Sequence, residues 1–145
     1  MSQEKGLDAD QVIDTFGELL AALSAFAAKV PAKSFMVNQS IRPTEEAIEG
    51  YENIVYRFRD RSGMTFRVLN SFFLDSLEAF EAGRVFDAVP PLLQAIEQLV
   101  ALQKDEKVQY NPQQQNRIRE FHQRLEKILP DANKPEVDLP TPESY

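Results

Sequence analysis

The chain has 145 residues, a formal net charge of −7 and no cysteine. Without thiols it builds no thiolate zinc site, iron–sulfur cluster, disulfide or cysteine nucleophile. The acid balance, with a pI near 4.8, repels phosphate and so disfavours bulk nucleic-acid binding; it eases attraction of a basic protein partner and serves solubility.

The length suits one domain burying about 68–70% of its unfolded surface. A composition of 43% hydrophobic and 27% charged residues is ordinary for a globular chain. The opening MSQEKGLDADQ carries acids where a signal peptide needs a basic region. The most apolar stretch, Leu19 to Val30, is alanine-rich and shorter than the about 20 residues of a membrane span, so a cytoplasmic chain without a membrane partner is expected.

The first element is a helix. Asp8 suits the N-cap and Gln11 completes a capping box. Val12, Ile13, Phe16, Leu19, Leu20, Leu23, Phe26, Ala27 and Val30 recur at three- and four-residue steps, and Pro31 stops the run. Small residues such as Ala21, Ala22 and Ala25 let a neighbouring helix approach closely. Residues 31–43 lie between two prolines and read as a connector. Thr44 is then an N-cap, with Glu45 and Glu46 in the first turn, where the helix dipole favours acids.

From Ala47 to Leu69 two templates fit. As a helix, Ala47, Ile48, Tyr51, Ile54, Val55 and Phe58 form one face and Gly63 closes the end. As a hairpin, Ile54, Tyr56 and Phe58 alternate with Val55, Arg57 and Arg59, Asp60 to Gly63 make the turn, and Met64, Phe66 and Val68 alternate with Thr65 and Arg67 on the return. The helix is preferred; the hairpin at about 54–69 is the alternative and would make the fold α+β.

Downstream, Leu69, Phe72, Phe73, Leu77 and Phe80 share a face and Gly83 suits the position past a helix end. Asp87 is read as the cap of the next helix, with Pro90 and Pro91 in its first turn and Val89, Leu92, Leu93, Ile96, Leu99 and Val100 as its buried stripe. Asn111, Pro112 and Gln114 open a last helix whose face is Ile118, Phe121, His122, Leu125, Ile128 and Leu129.

Gly83, Val85, Ala88, Leu92 and Ala95 resemble the second half of a tetratricopeptide unit over about 13 residues. Pro90 and Pro91 interrupt the pattern, Asp75 stands where that family places leucine, and no second copy follows. The resemblance implies a tight antiparallel helical hairpin. The expected fold is an all-α antiparallel bundle of four to five helices over 1–130, followed at 131–145 by an acidic, proline-rich tail too poor in apolar groups to order itself.

Reaction chemistry has little to work with. His122 is the sole histidine, read as a boundary residue with Glu120 and Glu126 pointing elsewhere on the helix. Glu45, Glu49 and Glu52 follow a solvated helix face, and a di-iron site would need Glu-x-x-His motifs that the chain lacks. No phosphate-cradling glycine loop or nucleophile elbow occurs. No enzyme, cofactor or metal is therefore expected.

The one unusual charge feature is Arg57, Arg59, Arg61 and Arg67, four cations close together in an acidic chain. They form a candidate interaction patch for phosphate or an acidic segment. The expected function is a non-catalytic protein-interaction module acting through helix faces, as an adaptor, chaperone, regulatory or immunity-type protein, with a homodimer as one possible assembly. Two alternatives stand beside it. One is a small hydrophobic-ligand binder using a phenylalanine-lined pocket; the other is a minor acidic subunit of a nucleoprotein assembly.

Overall fold

The computed structural model describes residues 6–28 and 42–129. Most of the predicted connector at 31–43 and the tail at 131–145 lie outside the described residues. The described chain forms an all-α bundle. Helix α1 spans Ala9–Ala27, α2 Glu45–Arg61, the single turn α3 Gly63–Phe66, α4 Asn70–Glu81, α5 Val89–Lys104 and α6 Pro112–Ile128. Short 3-10 turns at Arg67–Leu69 and Val85–Ala88 lead into α4 and α5.

Local chemistry sets the helix starts. Asp8 accepts the Gln11 N–H at 2.9 Å while Gln11 Oε1 accepts the Asp8 N–H at 3.0 Å. Asn111 and Gln114 repeat this box at 2.8 and 2.9 Å, and Thr44 caps α2 through the Ala47 N–H at 3.1 Å. The first helix is described over Ala9–Ala27, and its predicted end at Val30 lies outside the described residues.

The region with two templates is helical, and burial shows why. Tyr51, Val55 and Phe58 are buried, whereas Ile54 and Tyr56 are only part-buried. That is a period near 3.6, and a strand would have buried 54, 56 and 58 together. The chain turns at Gly63, whose φ of 81° is left-handed, and a Cβ at Gly6 would lie 2.6 Å from the Gly63 Cα. Only glycines allow the two backbones to meet there.

The start of α5 departs from expectation. Asp87 does not cap it; it faces Arg84 at 3.5 Å, and no side chain caps the helix. The reason is that Pro90 and Pro91 carry no N–H, and the Val89 N–H already donates to Phe86 O in the preceding 3-10 turn. The exit from α4 matches expectation. Gly83, at φ 83°, donates to Phe80 O while Arg84 donates to Ala79 O, a Schellman closure.

Successive long helices run antiparallel. Phe58 meets Phe73 and Tyr51 stacks on Phe80 with ring centroids 4.8 and 4.4 Å apart, which pairs the end of α2 with the start of α4. Five long helices that alternate in direction and close on themselves must bring first and last together in parallel. Accordingly Gln114 and Arg117 of α6 donate to Asp10 and Asp14 of α1 at 2.8 and 2.9 Å. Gly17 admits the Phe121 ring, which a Cβ would meet at 3.2 Å.

Val85–Lys104 is, among the described residues, long and apolar enough to cross a membrane. Val89, Leu92, Ala95, Ile96, Leu99 and Leu102 of this stretch are buried in the bundle core.

At the centre, Ser76 Oγ donates to Ala88 O at 2.8 Å and lies 2.6 Å from Tyr51 Oη. Serine has one proton, so Tyr51 is the donor to Ser76. Burial pushes the Tyr51 phenol well above the usual tyrosine range, only partly offset by the Ser76 bond. Ser76→Ala leaves the buried phenol without its partner and removes one bond from the Ala88 carbonyl, which still accepts within α5; it is expected to cost about 2 kcal/mol, whereas Tyr51→Phe leaves the serine bonded and costs about 1 kcal/mol. Urea unfolding of the two variants checks this order.

Candidate functional site

The four arginines of the predicted patch are not brought together. Arg57 and Arg61, one turn apart on α2, line a groove of about 180 Å³ against α1, opposite Asp14 and Glu18. Arg57 lies 3.8 Å from Glu18, with both side chains about half exposed. Arg59 points elsewhere; its Nε is 3.2 Å from Asp60 Oδ1 and its guanidinium sits 4.7 Å over the Tyr56 ring. Arg67 is exposed on the 3-10 turn beyond. Exposed pairs of this kind hold little energy. Three cations of the four thus face their own protein's acids.

A larger depression of about 530 Å³ runs between α5 and α6. Ile96, Val100 and Ile118 supply its apolar surface, and Gln103, Gln115, Arg119, His122, Gln123 and Glu126 its polar edge. Val100 belongs to the stripe predicted to be buried, yet it is 48% exposed. The cause is α6, which presents mainly Gln115, Arg119 and His122 along the shared groove, with Ile118 as its apolar contribution.

Tyr110 closes one end. Helix α5 finishes with Glu106 in the left-handed region at φ 61°, where its N–H donates to Gln103 O while the Lys107 N–H donates to Leu102 O. This reverses the chain so that the Tyr110 hydroxyl donates to Leu99 O at 2.8 Å. Two glutamines grip the Tyr110 backbone. Its N–H donates to Gln103 Oε1 at 3.2 Å, and Gln115 Nε2 donates to its carbonyl at 3.0 Å. Burial pushes the Tyr110 phenol up to about 12.

At the other end, His122 Nδ1 lies 3.8 Å from Glu126 Oε1. The expectation that Glu126 points elsewhere is corrected: the two stand one turn apart on the same face. Glu52, on the face read as solvated, is partly exposed and lies within hydrogen-bonding reach of the Glu81 carboxyl of α4. That contact, with lesser burial and repulsion from Glu52 and Glu78, raises the Glu81 carboxyl. No group of three or more metal-ligating side chains occurs among the described residues.

No family model, curated protein or solved structure matches the chain.

The sequence pointed to the arginines by charge and missed the groove. Val100 carries no distinguishing mark within an apolar stripe. The signal that could have found it is the run Gln115, Arg119, His122 and Glu126, a polar row on the side of α6 next to its apolar face.

Tyr110 makes stability depend on alkaline pH with a defined sign. Its folded pKa lies above the unfolded value, so its contribution is complete below about pH 10 and is lost as pH rises towards the folded value. Thermal melts from pH 8 to 11 should show Tyr110→Phe losing less stability across that window than the parent chain.

Proposed function

We propose that the chain is a non-catalytic protein-interaction module that receives a partner's apolar side chain in the groove between α5 and α6. The observation that carries this reading is Val100, a large aliphatic residue left 48% exposed on a floor with Ile96 and Ile118, ringed by polar side chains. Apolar floors with polar rims are the usual build of recognition sites. Seating one aliphatic side chain there removes apolar surface from water on both partners, worth roughly 1.5–3 kcal/mol.

The phenylalanine-lined pocket is the less favoured reading. Phe16, Phe58 and Phe73 are occupied with one another through edge contacts at 5.2 and 4.8 Å, and Phe80 is stacked on Tyr51. These rings serve the core. Arg57 facing Glu18 likewise weakens the phosphate-contact reading, because a cation already placed against a carboxylate is less available to an outside anion.

The test is selection of a displayed random-peptide library on the purified chain, followed by Val100→Glu. Enriched peptides are expected to carry a bulky aliphatic residue and to shift the amide resonances of Val100 and Ile118. Val100→Glu should weaken them at least about tenfold while moving stability by no more than about 0.5 kcal/mol, as befits a half-exposed site. Peptides that bind equally well to the variant would overturn the reading.

A further inference from the structure

We infer that this groove reads the backbone of an extended partner segment, seating an aliphatic side chain on Val100 and a neighbouring acidic side chain against Arg119. This deepens the interaction reading above and rests on it.

The two glutamines on Tyr110 have fixed amide orientations. A backbone N–H only donates, so Gln103 must offer its carbonyl oxygen; a backbone carbonyl only accepts, so Gln115 must offer its NH2 group. Amide orientation is therefore fixed by chemistry at both positions. What remains is equally fixed. Gln103 keeps an unused NH2 donor and Gln115 an unused carbonyl acceptor, and neither has a further hydrogen bond among the described residues. Both side chains line the groove.

One donor and one acceptor, held beside an apolar floor, complement the C=O and N–H of an extended chain. A helical ligand has no such groups to give along its length, because its N–H and C=O are bonded within the helix. Hydrogen-bond supply thus selects the extended segment over the helix.

Charge completes the specification. Arg119 lines the groove and its guanidinium donates to Asn116 Oδ1 at 2.7 Å, but it forms no ion pair among the described residues. It is a cation awaiting a carboxylate in a groove whose other end pairs His122 with Glu126. A partner acid beside the aliphatic anchor meets it in bidentate fashion.

The test uses the full chain and three blocked, fluorescein-labelled peptides read by anisotropy. The first is Ser-Pro-Glu-Leu-Asp-Pro-Ser, kept extended by its prolines; the second is the same peptide N-methylated at leucine; the third is a stapled helix carrying the same leucine and aspartate. The extended peptide should bind best, and N-methylation should weaken it at least fivefold.

Gln103→Glu keeps the oxygen that accepts from Tyr110 and removes the free donor. It should weaken binding at least fivefold with an unchanged melting temperature, also for a control peptide with Asn and Gln in place of the acids. Arg119→Gln should lower affinity for the acidic peptide and flatten its salt dependence. A stapled helix that outbinds the extended peptide and ignores Gln103→Glu overturns this inference while leaving the groove as a docking site. No binding by any peptide, with none selected from the library, overturns both.

Discussion

A single buried hydroxyl ties three parts of the bundle together. Ser76 of α4 accepts from Tyr51 of α2 and donates to the carbonyl of Ala88, where the 3-10 turn passes into α5. Both side chains are fully buried, so none of the three groups has water as a substitute. The relay also fixes direction: Tyr51 donates, Ser76 accepts and donates, and Ala88 accepts, which ties α2 to α4 and α4 to the point where the chain enters α5. Around it the aromatic packing follows, with Phe80 stacked on Tyr51 and Phe73 wedged between Phe16 and Phe58.

Closure of the bundle obeys a different constraint. With five long helices alternating in direction, the last returns parallel to the first. Parallel helices place like dipole ends together, so the α1/α6 pair gains nothing from macrodipole pairing. Side chains supply the attraction instead. Asp10 and Asp14 of α1 take hydrogen bonds from Gln114 and Arg117, and Gly17 lets the Phe121 ring pack against the α1 backbone. Phe121 and Leu125 turn towards the bundle, which leaves the row of Gln115, Arg119, His122 and Glu126 beside α5. The groove is the seam that this rotation leaves partly uncovered.

Much of the fold is legible in the sequence. The capping boxes at Asp8 and Asn111, the glycine past α4 and the apolar faces of α1, α2 and α6 are local patterns with a single physical reading. The strand-or-helix ambiguity at 54–69 is not local. Alternating Ile54, Tyr56 and Phe58 satisfy a strand as well as a helix, and only the long-range partners of Tyr51 and Phe58 decide it. Asp87 misleads for a related reason: a cap is useful only where N–H groups need it, and the prolines and the 3-10 turn had already removed that need. The candidate site was hardest to see. The arginines stand out by charge but share the surface with Glu18 and Asp60, whereas Val100 reads as one more core residue.

Tyr110 joins the fold to the groove. Its hydroxyl is held by Leu99, its N–H by Gln103 and its carbonyl by Gln115, so both helices that form the groove are fastened to one residue. Glu106 accepts an unfavourable left-handed backbone to deliver it there, a cost of about 1–2 kcal/mol relative to the usual conformation. Because the two glutamines are immobilised by Tyr110, their unused ends are oriented before any partner arrives. The rotamer entropy of about 0.5–1.5 kcal/mol per side chain that a floppy rim would lose on binding is already spent in folding. Under the proposed reading, a groove fixed in this way would favour ligands that match its donor and acceptor over those that merely cover its apolar floor.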